Sequence, residues 1–354
     1  DTNPLFLDNS LAWDYNDTGA AYQNTVGYYP VLGNIDLGWE ETHQANIGLD
    51  FTFFNNRLEG NIDVYQKNTK KLFSGINLSA VTGQYGISGN NGELENKGIE
   101  IALRYKLIKK ADFDLTVWAN TPYNKNTLIS FPAESIIPGS TTLAEGHTIY
   151  EWYMIPHVGV DPDTGEWLYK DIDGNIVDYT GIDPERDARF TGKSFLPKWN
   201  GGFGFSANYK GWYLDANFSY QAGFHKFDNL LAWLEDHTAA NDMNLSADLL
   251  NAWTPENPNT DMASLNANNV FDWDSDRLLY DASFVRFRSA TLGYNIPQRW
   301  LDGTALKGVN IFIQGENLLI WTKWKGFDPE GVKTTSLGQY PNPRSFSFGV
   351  NVEF

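Results

Sequence analysis

A two-residue alternation of apolar and polar side chains recurs along this chain in segments of about ten residues. In RSFSFGVNVEF, residues 344–354, Phe and Val fall on one parity, while Ser, Gly, Asn and Glu fall on the other. Because successive side chains of a β-strand point to opposite faces, this segment predicts a strand with one apolar and one polar face. About nine such segments predict an all-β chain. The segment VRFRSATLGYN breaks the alternation, which predicts a β-bulge near Ser289.

The connections between these segments alternate between short and long. The predicted short turns are 54–57, 108–111, 210–211 and 296–308, and the predicted long loops are 68–96, 123–198, 224–284 and 318–343. A strand of about ten residues is long enough to cross a bilayer when tilted, and outer-membrane barrels have short periplasmic turns and long extracellular loops. The pattern therefore predicts a transmembrane antiparallel β-barrel in residues 44–354, with its C-terminus in the periplasm.

An odd number of strands places the two ends of the chain on opposite sides of the membrane. Bacterial single-chain barrels have even strand counts, so residues 1–43 are predicted to belong to an extracellular loop. An open sheet would also leave unpaired strand edges in lipid, which a bilayer does not tolerate. We therefore expect the chain to be the C-terminal piece of a larger barrel, closed by other polypeptide. No signal peptide is visible in DTNPLFLDNS.

Composition excludes several classes of protein. Apolar residues make up 42% of the chain and the mean hydropathy is −0.41, so no segment suits a transmembrane helix. The net charge of −18 argues against a nucleic-acid partner, because phosphate binding needs clustered Lys and Arg. There is no cysteine for a disulfide or a thiolate metal site. Aromatic residues reach 15%, which suits interfacial belts or stacking surfaces.

Several stretches resemble the SusC/RagA-like TonB-dependent transporters of the Bacteroidota outer membrane. They are LGWEETHQANIGLDFTFFNNRLEGNIDVYQKNTKKL, NNGELENKGIEIAL, DRLLYDASFVRFRSATLGYNIP, IFIQGENLLIWTKWKGFDPE and YPNPRSFSFGVNVEF. The resemblance implies a barrel of about 22 strands, plugged by an N-terminal domain. It also implies import of large nutrients, energised through the TonB complex, with a SusD-like surface lipoprotein as a lid. The plug and the TonB-contacting segment are not in this chain, so energy coupling is not expected in these residues.

Aromatic side chains in the predicted long loops are the candidate substrate-binding residues, because a ring offers a flat apolar face to a sugar or a peptide side chain. They are Trp152, Tyr153, Trp167, Tyr169, Trp233, Trp253 and Trp273. The alternative is that these rings pack the loops, anchor the membrane interface or meet the lid protein. Trp321, Trp324 and Phe354 are predicted to form part of an aromatic girdle at the membrane boundary.

No catalytic, metal or cofactor site is predicted. DPDTGEWLYKDIDGN, residues 161–175, lacks the EF-hand ligand spacing and indicates two hairpin turns. Its acids could supply the carboxyl pair of a glycosidase, but pairs of this kind arise by chance in an acidic chain. The sequence thus predicts part of an importer of oligosaccharides or peptides. The alternatives are a soluble β-rich carbohydrate-binding or glycan-hydrolysing module and a passive porin-like barrel.

Overall fold

The computed structural model describes residues 34, 36–79, 81, 86–132, 136–331 and 340–354. Within them the chain is built from strands, with two short α-helices, α1 (Pro184–Asp187) and α2 (Asn229–Glu235). The strands are β1 (Glu41–Phe53), β2 (Leu58–Asn77), β3 (Gly86–Lys109), β4 (Phe113–Ser130), β5 (Ser140–Thr142), β6 (Glu151–Met154), β7 (His157–Val160), β8 (Trp167–Lys170), β9 (Ile176–Val177), β10 (Arg189–Ser194), β11 (Trp199–Tyr209), β12 (Trp212–Ala222), β13 (His225–Phe227), β14 (Leu279–Asp281), β15 (Phe284–Asn295), β16 (Gly308–Thr322) and β17 (Ser345–Glu353). No helix among these residues is long and apolar enough to span a membrane.

The nine long strands form one antiparallel sheet, here called the wall, in the order β1-β2-β3-β4-β11-β12-β15-β16-β17. Each strand pairs with the long strand that precedes it in the chain, as in an up-and-down barrel. This confirms the strand prediction and the tight turns, including Lys210-Gly211 between β11 and β12. The register of β15 shifts between Phe287 and Ser289, which confirms the predicted bulge.

The wall has one apolar and one polar face, as the alternation predicted. Apolar residues lie in cross-strand rows, such as Leu214 opposite Leu292, which in turn lies opposite Ile313. No second layer of the described chain covers these rows, since Ile47 is 81% exposed and Phe348 is 72% exposed. A soluble sandwich would bury them, so the exposure fits a sheet whose apolar face is solvated by hydrocarbon.

Aromatic rings border this apolar band at both edges of the wall. At the short-turn edge Trp212 lies 4.8 Å from Tyr294, and Tyr294 lies 6.4 Å from Trp300, measured between ring centroids. At the long-loop edge Tyr123 lies 4.7 Å from Trp199. About ten residues of a tilted strand separate the two belts, which gives an apolar band of about 25 Å, the height found in outer-membrane barrels.

Five of the predicted loop boundaries are wrong. β2 continues to Asn77 and β3 begins at Gly86, so most of the predicted loop 68–96 is a paired extension of two strands. β4 likewise continues to Ser130, β16 to Thr322, and β1 already begins at Glu41. The extension of β4 carries polar residues on both faces, as at Asn124 and Lys125, so pairing persists where the alternation has ended. Residues 1–33, also predicted as loop, lie outside the described residues.

Aromatic rings on the polar face lie across glycines of the neighbouring strand. Tyr65 covers Gly98, Tyr213 covers Gly293, and Phe312 covers Gly349. A Cβ atom at any of these glycines would come well inside 3 Å of the covering ring. Glycine is therefore required at these positions because a ring occupies the space of the side chain.

Replacing Gly293 with alanine should destabilise the wall by about 1–3 kcal/mol, because the ring of Tyr213 must leave its place. Thermal unfolding of the full-length protein in detergent, followed by heat-modifiable migration on a gel, measures the effect. Gly75→Ala is the control, since open space surrounds that position in β2. Equal stability of Gly293→Ala and the unmodified protein would contradict this role of the glycine.

Candidate functional site: the polar wall and the cap

The polar face carries a ladder of amide side chains near the long-loop edge. The hydroxyl of Tyr65 donates to Oδ1 of Asn124 at 3.0 Å. Oδ1 of Asn96 accepts from Nδ2 of Asn124 at 3.1 Å and from Nδ2 of Asn126 at 2.9 Å. These residues lie on β2, β3 and β4, whose register brings them side by side. The ladder gives this face hydrogen-bonding groups that suit a water-filled interior.

Residues 136–198 and 223–283 fold together into one unit, here called the cap. Its small sheets are β10-β6-β5, β7-β8-β9 and β13-β14. Its largest apolar core combines Ile155 and Tyr169 of the first segment with Ala263 and Phe271 of the second. A second core packs Met154 against Leu278 and other residues. The two long connections are therefore a shared folded structure and do not act as separate loops.

A buried charge cluster joins the parts of the cap. The guanidinium of Arg277 lies 2.5 Å from a carboxylate oxygen of Glu235 and 3.0 Å from one of Asp272. It also stacks 4.5 Å from the centroid of the Trp167 ring. Burial raises the pKa of Asp272 to about 6, although the neighbouring arginine acts in the opposite direction. The charges of Arg277, Glu235 and Asp272 face one another inside the cap. They therefore hold the cap together and are not available to a ligand.

Three of the predicted substrate-binding aromatics are buried in these cores. Trp152 and Trp167 are 3% exposed, and Tyr169 is 0% exposed. The prediction that they contact substrate is wrong, because their rings form the interior of the cap. The indole of Trp152 donates to the carbonyl of His225 at 3.1 Å, a contact between the two cap segments.

Of the other four predicted aromatics, two make contacts within the cap and two are exposed. Tyr153 packs edge-on against Phe190 with 5.0 Å between centroids, and Trp253 donates its indole N–H to the carbonyl of Pro162 at 3.0 Å. Both contacts join parts of the cap. Trp233 and Trp273 are 48% and 43% exposed, so they present ring surface to their surroundings. These two stay predicted substrate contacts.

The three predicted girdle residues differ in burial: one is buried and two are exposed. Trp324 is buried among Phe224, Ala282 and Phe284, so its assignment to the membrane boundary is wrong. Trp321 is 51% exposed and lies 6.4 Å from the ring of Phe218, and the final Phe354 is 75% exposed. Their place in a girdle stays a prediction. The belt at the short-turn edge was missed, although its rings lie at the ends of predicted strands.

A polar cavity of about 270 Å³ lies where the cap meets the wall. It is lined by Asn124, Asn126, His147, Glu151, Ser194 and Lys198, among others. One oxygen of Glu151 accepts the backbone N–H of Gly192 at 2.8 Å, and the other lies 3.1 Å from Nδ1 of His147. The His147 ring stacks 3.5 Å from Phe190. The cavity brings hydrogen-bonding groups of the cap and of β4 side by side, and the sequence did not predict it.

A set of contacts, here called the clasp, fastens the connection between β16 and β17 to the wall. The guanidinium of Arg286 lies 2.5 Å from a carboxylate oxygen of Asp328 and 2.9 Å from one of Glu330. The other oxygen of Asp328 accepts the backbone N–H of Asn342 at 3.0 Å. The buried ammonium of Lys226 donates to the carbonyl of Gly331 at 3.2 Å. The clasp thus brings the two ends of this connection together on the polar side of β15.

Carboxylates of the segment 161–175 serve the local structure of its turns. The segment 161–175 forms the two predicted hairpin turns, between β7 and β8 and between β8 and β9. Asp161 and Asp171 accept hydrogen bonds within their own turns, which lowers the pKa of each. Within the described part of the chain no group of three or more His, Asp or Glu residues is placed to hold a metal ion.

A family model described as "TonB dependent receptor-like, beta-barrel" matches residues 8–318. The chain belongs to this family. TonB-dependent receptor P3 of Formosa agariphila is 30% identical to it, and the match covers 91% of this chain and 35% of that protein. TonB-dependent receptor SusC of Bacteroides thetaiotaomicron is 27% identical, covering 99% of this chain and 35% of SusC.

Solved structures of RagAB share the fold of this chain. The RagAB peptide transporter superimposes with a TM-score of 0.85 at 30% identity, covering 94% of this chain and 38% of that one. The RagAB peptide importer in the open-open state gives a TM-score of 0.86 at 29% identity, with 95% and 37% covered. The chain therefore spans a little more than a third of the length of the relatives it matches.

Membership of the TonB-dependent receptor family identifies the wall as part of an outer-membrane β-barrel. Its apolar face contacts lipid and its polar face lines the lumen. The resemblance to SusC and RagA is confirmed, and the soluble-module alternative is wrong. The relatives are receptors and transporters and not enzymes.

Proposed function

We propose that this chain forms the C-terminal strands of a SusC-like importer that takes up large nutrients, oligosaccharides or peptides, across the outer membrane. The complete barrel would have about 22 strands and an N-terminal plug that contacts the TonB complex. The observation that carries the proposal is the combination of a wall of the TonB-dependent receptor family with a folded cap at one edge only. A rigid cap beside a polar lumen provides one side of a substrate chamber.

The orientation follows from the asymmetry of the two edges. The short turns and Phe354 would lie in the periplasm, and the cap and the β2–β3 extension would lie outside the cell. A SusD-like surface lipoprotein would then sit over the cap as a lid. RagAB, to which this chain is similar, is named as a peptide transporter, and this supports peptides as one candidate substrate class.

Uptake by cells that produce the full-length protein tests the proposal. Labelled peptides and oligosaccharides should enter only when the inner membrane is energised, and uptake should stop when a protonophore collapses the proton gradient. Mass spectrometry of the detergent-purified complex should also identify a surface lipoprotein. Uptake that persists without the gradient would indicate a passive porin instead.

Trp233→Ala and Trp273→Ala should each weaken binding of the transported ligand by about fivefold or more, because each removes an exposed ring beside the proposed chamber. Calorimetric titration of the full-length protein measures this. Trp300→Ala is the matched control, since Trp300 is 62% exposed but lies at the opposite edge of the wall. Unchanged affinity in both cap variants would remove these residues from the site.

A further inference from the structure

We propose that the short-turn end of the wall holds one anionic phospholipid, with an acyl chain in a groove on the apolar face and its phosphate on a basic cluster at the rim. This site is separate from the substrate chamber and goes beyond the proposed function. Three observations support it: the shape of the groove, its depth in the membrane, and the charge at its end.

The groove has a volume of about 680 Å³. Its lining includes Leu103, Val117, Ala119, Phe203 and Phe218. Ala119 lies in register between Leu103 and Phe203, which are 40% and 38% exposed. The small side chain therefore forms a floor between two larger ones, and a flexible hydrocarbon chain fits this kind of surface.

The groove extends through about one leaflet. It begins beside Phe54 and Tyr105, near the short-turn edge, and reaches Phe203 and Phe218. These two stacked rings lie opposite each other on β11 and β12, six residues from the strand ends at Tyr209 and Trp212. Six residues of a tilted strand span about 15 Å, which is half of the hydrocarbon core. The site therefore matches an acyl chain whose headgroup lies at the short-turn edge.

Basic side chains cluster at that end of the groove. Arg57, Lys109 and Lys110 are exposed, and none forms an ion pair with another described residue. The N–H of Lys110 donates to the carbonyl of Phe113, and the carbonyl of Arg57 accepts from the N–H of Lys106, which places these residues on adjacent turns. Two acids lie near the cluster: Asp112, which is 3.8 Å from Lys210, and Asp114, which lies in register with Lys109, so the basic side chains outnumber the acidic ones at this edge.

This cluster stands out because the chain as a whole carries a net charge of −18. The aromatic belt at the same edge, which includes Trp212, marks the level of the lipid headgroups. Unpaired Arg and Lys side chains at this level attract anionic lipid, and each charge adds to the electrostatic attraction at the membrane surface. The geometry therefore favours an anionic over a zwitterionic headgroup at this position.

Native mass spectrometry of the detergent-solubilised full-length protein tests the site. Palmitoyl-oleoyl phosphatidylglycerol should be retained about tenfold better than phosphatidylcholine with the same acyl chains. The variant Arg57→Gln/Lys109→Gln/Lys110→Gln should abolish this preference. The control Arg299→Gln/Lys307→Gln changes two exposed charges at the same edge, beyond the groove, and should retain it. Heat-modifiable migration confirms that each variant is folded.

A second variant tests the groove itself. Ala119→Phe fills the floor and should reduce retention of phosphatidylglycerol while leaving the barrel folded. Inorganic phosphate should not compete with the lipid, because the acyl chain provides part of the binding. Equal retention of the two lipids, a preference that survives the triple variant, an equal loss in the control, or full competition by phosphate would each overturn the proposal. None of these results depends on transport, so they leave the proposed function untouched.

Discussion

Replacing Arg277 with methionine will unfold the cap while the wall stays folded. Arg277 is the buried cation between Glu235 and Asp272, which are 6% and 4% exposed. Its removal leaves two carboxylates without a counter-charge in the interior of the cap, and breaking a buried pair in this way costs about 3–5 kcal/mol. Hydrogen exchange of the full-length protein should show lost protection in β6 and β8 and unchanged protection in β15 and β16.

Two further variants make this result specific. Adding Glu235→Gln and Asp272→Asn to Arg277→Met removes the uncompensated charges and should restore part of the protection. Lys70→Gln is the exposed control, since its partner Glu93 lies 3.9 Å away and a surface pair contributes less than about 1 kcal/mol. Wild-type protection of the cap in Arg277→Met would show that the cluster does not hold it together.

Replacing Arg286 with methionine will release the connection between β16 and β17 from the wall. Asp328 is 6% exposed and its carboxylate faces Arg286, so the variant leaves a buried carboxylate without its guanidinium partner, with the backbone N–H groups of Glu330 and Asn342 still donating to it at 3.0 Å each. We expect a local loss of about 3–5 kcal/mol. Protease cleavage between residues 324 and 343 should become faster, while the strands of the wall remain intact.

Arg344→Met provides the matched control for the clasp. Arg344 is an exposed arginine beside the same connection, so its loss changes the charge without removing a partner of Asp328. The conservative variant Arg286→Lys should also loosen the clasp, because a single ammonium does not reproduce the two-sided contact of a guanidinium with Asp328 and Glu330. Unchanged cleavage in Arg286→Met would contradict the role of the clasp.

The wall could be predicted from the sequence because its two faces meet different solvents. Alternation is imposed wherever one face contacts lipid and the other contacts water, as at Phe348 and Ser347. The bulge was also predictable, since an extra residue at Arg288 shifts the parity of β15. The extension of β2 to Asn77 was not predictable, because a strand with water on both faces has no reason to alternate.

The candidate site was predicted less well, for a physical reason. A tryptophan in a long connection has the same local sequence whether it contacts a ligand or fills a core. Trp167 is buried because Arg277, more than a hundred positions later, lies over its ring. Trp324 is buried because Phe224 and Phe284 surround it. Contacts of this range depend on how distant segments fold together, and the cavity beside Glu151 likewise forms only where the first cap segment meets β4 of the wall.

The solvent around β17 tests most directly whether lipid contacts the apolar face of the wall. The chain has no cysteine, so single cysteines at residues 345–353 can each carry a nitroxide in the full-length protein in lipid nanodiscs. We expect collision with oxygen, which partitions into hydrocarbon, to peak at 346, 348, 350 and 352. A water-soluble nickel chelate should reach these positions least. A profile without this two-residue alternation, or equal access of the chelate to Phe348 and Ser347, would contradict the assignment.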